Sequence, residues 1–220
     1  PHGMLLLDDA VIISEEGKLT RYDSNFKNPV VLVEGIPSGN HQTNAVNLLP
    51  NGTLIWHSGS TCNHCDEDDS RNAALLWVNA TTGEHGILAT GVRNSFDGVW
   101  VDGIGYLFSD NGQDAEGNDF PDEEINLLVE GADYGWLVES KSDPNPKGTE
   151  APVATWTPHT SVNGMTIRPT NLPGDEHTVY ATVYGSWATI LPAGHQILKI
   201  DFKQTDDGWV SEVEVFAEEV

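Results

Sequence analysis

The run Thr53-Leu54-Ile55-Trp56, entered through the turn Pro50-Asn51-Gly52, decides the fold because the chain repeats it. Three more runs share its character: Ala10-Val11-Ile12-Ile13, Gly105-Tyr106-Leu107-Phe108 and Thr178-Val179-Tyr180-Ala181-Thr182-Val183-Tyr184. β-Branched and aromatic residues bounded by Gly, Pro, Asp or Asn mark short strands between turns. Each run has a successor: Lys18-Leu19-Thr20-Arg21-Tyr22, Ala74-Leu75-Leu76-Trp77-Val78, Glu124-Ile125-Asn126-Leu127-Leu128 and Gln196-Ile197-Leu198-Lys199-Ile200. Leading strands are read at residues 3–7, 45–49, 98–101 and 164–167, and outer ones at 30–33, 86–89 and 212–216. In the third repeat Tyr134-Gly135-Trp136 runs into a Pro-rich loop, and no outer strand is evident there.

Four strands recurring about every 40 to 70 residues match the blade of a β-propeller. One blade cannot bury both its faces, so neighbours must stack on it, and the innermost strands line a channel. The expectation is an all-β propeller with four blades, forming a single domain over residues 1–220. A β-sandwich is the competing architecture. Pro1-His2-Gly3-Met4 stands at the start of an innermost strand and Val220 directly follows an outermost one. Both ends therefore read as cut from a longer parent, the remaining blades supplied by further sequence or by a neighbouring chain.

The chain carries 34 acidic and 10 basic residues, a formal net charge of -24. Such a surface repels phosphate backbones, which argues against nucleic acid as a partner, and it suits a secreted or salt-exposed protein. No apolar run approaches the roughly 20 residues needed to span a bilayer. The two cysteines lie in Cys62-Asn63-His64-Cys65. That spacing cannot complete a four-ligand zinc site alone, and a short-loop disulfide formed in an oxidising compartment is expected. The sequons Asn51-Gly52-Thr53 and Asn79-Ala80-Thr81 fit the same extracytoplasmic route.

In propellers, ligands are held by loops at the mouth of the channel. His41, in Asn40-His41-Gln42 just ahead of the second blade, is a candidate general base, since an imidazole titrates near neutrality. The alternative is a surface histidine making one hydrogen bond. Arg93, followed by Asn94, suits bidentate capture of a carboxylate, against a structural ion pair as the plainer reading. The stretch from Asp110 to Glu124 is dense in oxygen ligands of the kind Ca²⁺ prefers, but lacks the EF-hand register. A solvated acidic loop would look the same.

Gly59-Ser60-Thr61-Cys62-Asn63-His64-Cys65-Asp66-Glu67, Ala89-Thr90-Gly91-Val92-Arg93-Asn94 and Asp110-Asn111-Gly112 are followed by Asp119-Phe120-Pro121-Asp122-Glu123-Glu124-Ile125-Asn126. Next come Gly131-Ala132-Asp133-Tyr134-Gly135-Trp136 and Tyr184-Gly185-Ser186-Trp187 leading to Gly194-His195. In this order the chain resembles the glucose/sorbosone dehydrogenase family of soluble quinoproteins, nearest the L-sorbosone dehydrogenase-like and fungal pyranose dehydrogenase branch. The resemblance implies a six-bladed propeller holding pyrroloquinoline quinone (PQQ) and Ca²⁺, oxidising a sugar or polyol hydroxyl and passing electrons to an external acceptor. It implies His41 as the base, and Arg93 and Asn94 on the quinone, with Asn111 and His159 beside it. Gly112 and Gln113 would bind the metal, with Asp110 and Asp119 as added ligands. A non-catalytic binding propeller and a Ca²⁺-dependent lactonase are the other readings. The family's lysine in the fourth blade is replaced here by Tyr184-Gly185-Ser186-Trp187.

Overall fold

The computed structural model describes residues 2–186, 189–190, 192–206 and 208–218. Trp187, quoted above, and the chain ends Pro1 and Val220 lie outside the described residues. Among the described residues there is no helix, and 16 strands form four antiparallel sheets of four. The first sheet runs β1 (Gly3–Leu6), β2 (Ala10–Glu15), β3 (Lys18–Asp23) and β4 (Val30–Val33), and the second β5 (Thr43–Leu48), β6 (Leu54–Ser58), β7 (Ala74–Val78) and β8 (His85–Thr90). The third comprises β9 (Gly98–Val101), β10 (Gly105–Asp110), β11 (Glu123–Leu127) and β12 (Ala154–Trp156). The fourth comprises β13 (Val162–Ile167), β14 (Thr178–Val183), β15 (Gln196–Thr205) and β16 (Gly208–Glu218). In every sheet each strand pairs with its sequence neighbour, the meander expected of a propeller blade. The fold class is the all-β propeller read from the repeats.

Two compact units divide the chain. Unit 1 is Pro1–Ser95 with Val129–Leu137, and unit 2 is Phe96–Leu128 with Val138–Val220. Each holds two sheets. In unit 1 Ile12 and Leu19 of the first sheet share a core with Leu54, Trp56 and Leu76 of the second. Trp56 is fully buried, and its indole Nε1 donates to the Ser14 hydroxyl at 2.8 Å, so the polar edge of the ring is satisfied across the two sheets. In unit 2 Leu107 and Ile125 pack with Val179, Leu198 and Ile200. The apolar runs of the sequence thus face neighbouring sheets, as the stacking argument requires.

The third blade does possess an outer strand, the three-residue β12, paired with β11 from Glu123↔Trp156 to Ile125↔Ala154. Its brevity and its distance along the chain hid it. Part of the intervening segment serves unit 1 instead. Thr90 N donates to Ala132 O at 3.0 Å, Tyr134 N to Thr90 O at 2.9 Å and Trp136 N to Gly91 O at 3.2 Å. The Gly131–Trp136 motif therefore covers the open edge of β8, which would otherwise leave its peptide groups unpaired.

Gly98 begins β9 where a side chain has no room: a Cβ there would stand 2.4 Å from the Tyr106 Oη and 2.6 Å from the Leu107 carbonyl oxygen. Tyr106 is buried and the Leu107 peptide belongs to β10, so neither yields easily. Gly98→Ala is expected to destabilise unit 2 by about 1–3 kcal/mol, the usual range for an overpacked site. Chemical denaturation monitored by fluorescence would show it, and an unchanged midpoint would refute it.

Candidate functional site

Each unit carries a cluster of buried polar groups. In unit 1 the β5–β6 ladder continues past Thr43 and Ser58. Gly59 N donates to Gln42 O at 3.1 Å, His41 N to Ser60 O at 3.1 Å and Asn40 N to Thr61 O at 2.8 Å. Only glycine fits at position 59, because a Cβ would stand 2.7 Å from the His41 Cβ. The extended ladder sets His41 opposite Ser60, and its Nδ1 lies 2.7 Å from the Ser60 Oγ. The Ser60 hydroxyl donates to the Cys62 carbonyl at 2.7 Å. A hydroxyl has one proton to give, so Nδ1 must be the donor in the imidazole–serine bond, and the neutral ring keeps its lone pair at Nε2.

Arg93 is 3% exposed. Its Nε donates to the Asn63 carbonyl at 3.1 Å and its Nη2 to the Asn63 Oδ1 at 2.7 Å, while its own carbonyl accepts Ser60 N at 2.8 Å. The Asn63 carbonyl also receives the Trp136 indole at 3.3 Å. Cys62 and Cys65 are disulfide-bonded, as the spacing led us to expect. Glu67 fastens the start of this loop by accepting from Thr61 N and Thr61 Oγ1, both at 2.7 Å. Asn94 accepts from Asn44 Nδ2 at 3.3 Å. His41, Arg93 and Asn94 all fall in this unit.

Burial depresses the His41 imidazole to about 4, and the Arg93 charge adds to the effect while a bond to the Ser60 backbone opposes it. His57, fully buried with Nδ1 2.7 Å from the Ser95 Oγ, is pushed by burial to about 3. Unit 1 thus holds two neutral imidazoles, one of them, His41, within reach of the Arg93 charge.

In unit 2 Asp110 ends β10 opposite Glu124 of β11, which puts their side chains on one face of the sheet, with Asn126 two residues further along that face. Asn126 Nδ2 donates to the Glu124 Oε2 at 3.0 Å. Asn111 Oδ1 accepts Val162 N at 2.9 Å, and Glu123 Oε1 accepts Ser161 N at 3.0 Å, so two side chains dock the entry to β13. Burial raises Glu123 to about 7, bonds from Ser161 and Thr160 oppose this, and the Asp110 charge adds to the rise. Burial also pushes Glu124 well above the usual carboxylate range, with Asp110, Glu139 and Asp122 contributing. Three buried acceptors here have no hydrogen-bond partner: Gln113 Oε1, Glu123 Oε2 and Asn126 Oδ1. Gly112 follows Asn111 directly. His159 is buried, its Nε2 2.8 Å from the Gly117 carbonyl. Asp119 is exposed and pairs with Lys141 at 2.5 Å. Among the described residues Cys62, Cys65 and Glu67 are the one group of His, Cys, Asp or Glu close enough to share a metal, and the disulfide occupies both of its sulfurs.

Several structures share this architecture. The holo PQQ domain of pyranose dehydrogenase from Coprinopsis cinerea is 17% identical, with a TM-score of 0.77 covering 99% of this chain and 67% of that one. The chain has the propeller fold of that domain. A calcium structure of a family AA12 carbohydrate-active enzyme from Trichoderma reesei matches at 15% identity and a TM-score of 0.75, over 96% of this chain and 70% of that one. The PQQ-bound aldose sugar dehydrogenase of Streptomyces coelicolor matches at 16% and 0.56, over 99% and 81%. An uncharacterised protein of Borreliella burgdorferi is 30% identical over 185 residues, 76% of this chain and 48% of that protein. The chain thus spans about half the length of this curated relative. No protein-family model matches.

Sequence reasoning singled out His41 and Arg93 but not the groups that fix them, Ser60, Asn63 and Trp136. Both depressed imidazoles make the fold sensitive to acid. Their contribution to stability is complete above pH 6.5 and is lost as pH falls toward about 4 for His41 and about 3 for His57, because the unfolded state takes up the proton first. Histidine ring spectra recorded from pH 7.5 to 5 are expected to leave both residues neutral. A ring titrating near 6.5 would contradict the burial argument.

Proposed function

We propose that this chain carries the base, the anion clamp and the cation-binding oxygens of a quinone-dependent sugar dehydrogenase. The observation that carries the reading is the neutral His41 imidazole, held with its lone pair at Nε2 in the same cluster as the buried guanidinium of Arg93. The likeness to PQQ-bound and calcium-bound structures supports the choice of cofactors.

The residues present fit both groups. A guanidinium is a planar fork of donors, and such a fork pairs well with the carboxylates of a quinone acid. Asn94 is its proposed companion in unit 1, and Asn111 and His159 of unit 2 are proposed, independently, as quinone-contacting residues. The buried acceptors Gln113 Oε1, Glu123 Oε2 and Asn126 Oδ1, with the Asp110 carboxylate and the carbonyls of Gly112 and Gln113, offer the hard oxygens that Ca²⁺ prefers. Asp119 is a further proposed ligand, and recruiting it means breaking its ion pair with Lys141. When bound, the quinone supplies a two-electron acceptor and the cation a Lewis acid.

The chain's own part is proton transfer. His41 accepts the proton of a sugar hydroxyl at Nε2 as the carbinol hydrogen leaves as hydride. Burial and then the Arg93 charge hold its basicity down, and a carboxylate paired with that arginine offsets the second effect, so the base strengthens once a ligand is in place. An external acceptor is the proposed destination of the electrons. The acidic composition and the disulfide favour an extracytoplasmic setting.

The test is dye-linked oxidation of aldoses by the full-length protein after reconstitution with PQQ and Ca²⁺. His41→Gln is expected to lower kcat by roughly 10²–10⁴ with quinone binding retained. Arg93→Lys should weaken quinone binding about tenfold or more, since the bidentate fork is lost. Full turnover in His41→Gln would remove the base. An intact fold that never binds the quinone in an absorbance titration would favour a propeller that binds without catalysing.

A further inference from the structure

The loop between β6 and β7 fastens His41 and Arg93 together, although neither residue belongs to it. Ser60 enters the loop opposite His41 and donates its hydroxyl proton to the Cys62 carbonyl. One residue on, Asn63 meets Arg93 through both its backbone carbonyl and its side-chain oxygen. The Cys62–Cys65 disulfide closes the peptide around these two acceptors, with Glu67 fastening Thr61 on one side and Trp136 bonded to Asn63 on another.

We propose that the disulfide-closed loop Ser60–Cys65 is a positioning element for the proposed reaction: it fixes which nitrogen of His41 bears the proton, and it fixes the direction of Arg93. Only the catalytic consequence of this positioning rests on the dehydrogenase reading. An unrestrained imidazole exchanges freely between its two tautomers and in water favours the proton on Nε2, the wrong form for a base acting through that atom. Here Ser60 can only accept from Nδ1, because its single proton is committed to Cys62. Turning the Cys62 carbonyl away would free the Ser60 proton to point at Nδ1 instead, and the lone pair would then change sides. A four-residue ring closed by a disulfide restricts that carbonyl more tightly than an open loop would.

The loop has no titratable contact with His41. Among the described residues the charged group acting on that ring is the Arg93 guanidinium, and Gly59 and Ser60 line its other side. A change of tautomer is thus separable from a change of surrounding charge.

Long-range nitrogen–proton spectra of histidine-labelled protein at pH 7.5, with no quinone added, test the proposal. His41 in the intact protein is expected as the Nδ1–H form, with less than about a tenth of the other tautomer. The loop is opened in two ways: by Cys62→Ser with Cys65→Ser, and by a phosphine. The phosphine delivers two electrons to the disulfide, and water supplies the oxygen of the phosphine oxide and the two protons that complete the thiols. Either treatment should move more than about half of the ring to Nε2–H. His57, bonded to Ser95, is the internal control and should stay unchanged. Ser60→Ala should release His41 with the disulfide still closed, and Ser60→Thr should restore the Nδ1–H form. His41 keeping that form in Ser60→Ala, or in the opened loop with His57 undisturbed, overturns the proposal. If opening the loop unfolds the unit, His57 will report it and the Ser60 pair decides. Quinone titration of the intact protein tests the dehydrogenase reading separately, so either idea can fail without the other.

Discussion

Peptide hydrogen bonds in an antiparallel ladder leave little freedom in where opposing residues stand, and the unit 1 cluster depends on that rigidity. The ladder of β5 and β6 runs three residue pairs beyond the strands proper. His41 and Ser60 are therefore set face to face by the backbone before any side chain makes a bond. Unit 2 works the other way round. There the entry to β13 is positioned by side chains, with Asn111 and Glu123 accepting from the peptide N–H groups of Val162 and Ser161. One cluster inherits its geometry from a sheet, whereas the other uses its polar groups to place one.

The charge balance follows the same division. Much of the large acidic surplus is spent on solvent-facing contacts, such as the Asp23 carboxylate that accepts Asn25 and Lys27 N–H groups in a turn. Inside, the chain keeps ionised groups few. Two imidazoles are held neutral by burial, and the buried carboxyls of β11 resist ionisation for the same reason. A cation beside Glu123 would reverse that resistance, since the carboxylate would then gain a partner for its charge.

Much of the fold was legible because it depends on local pattern. Turn residues flank short β-branched and aromatic runs, and fifteen of the sixteen strands fall where that pattern places them, give or take their ends. β12 escaped because three residues carry no periodicity. The excursion at Val129–Leu137 escaped because nothing local says that a segment lying between β11 and β12 should serve β8. The cluster residues divide in the same manner. His41 and Arg93 stood out as rare chemistry in an acidic chain. Ser60 and Asn63 are ordinary residues whose roles come from what lies across from them. Glu123 and Glu124 stood only within an acidic stretch that a cation site and a solvated loop would both match, and their burial on β11 comes from packing that the stretch does not announce.

The excursion also bears on how the protein is made. Unit 1 is not a continuous piece of chain: its last nine residues emerge only after β9, β10 and β11 have been synthesised. Until then β8 presents bare peptide groups along one side, a template for any other extended strand nearby. A nascent or recombinant fragment ending near Ser95 would carry that sticky border permanently. The shortest segment able to shield it reaches past Trp136, and dissection of this protein into its halves by a single cut is ruled out by its own threading.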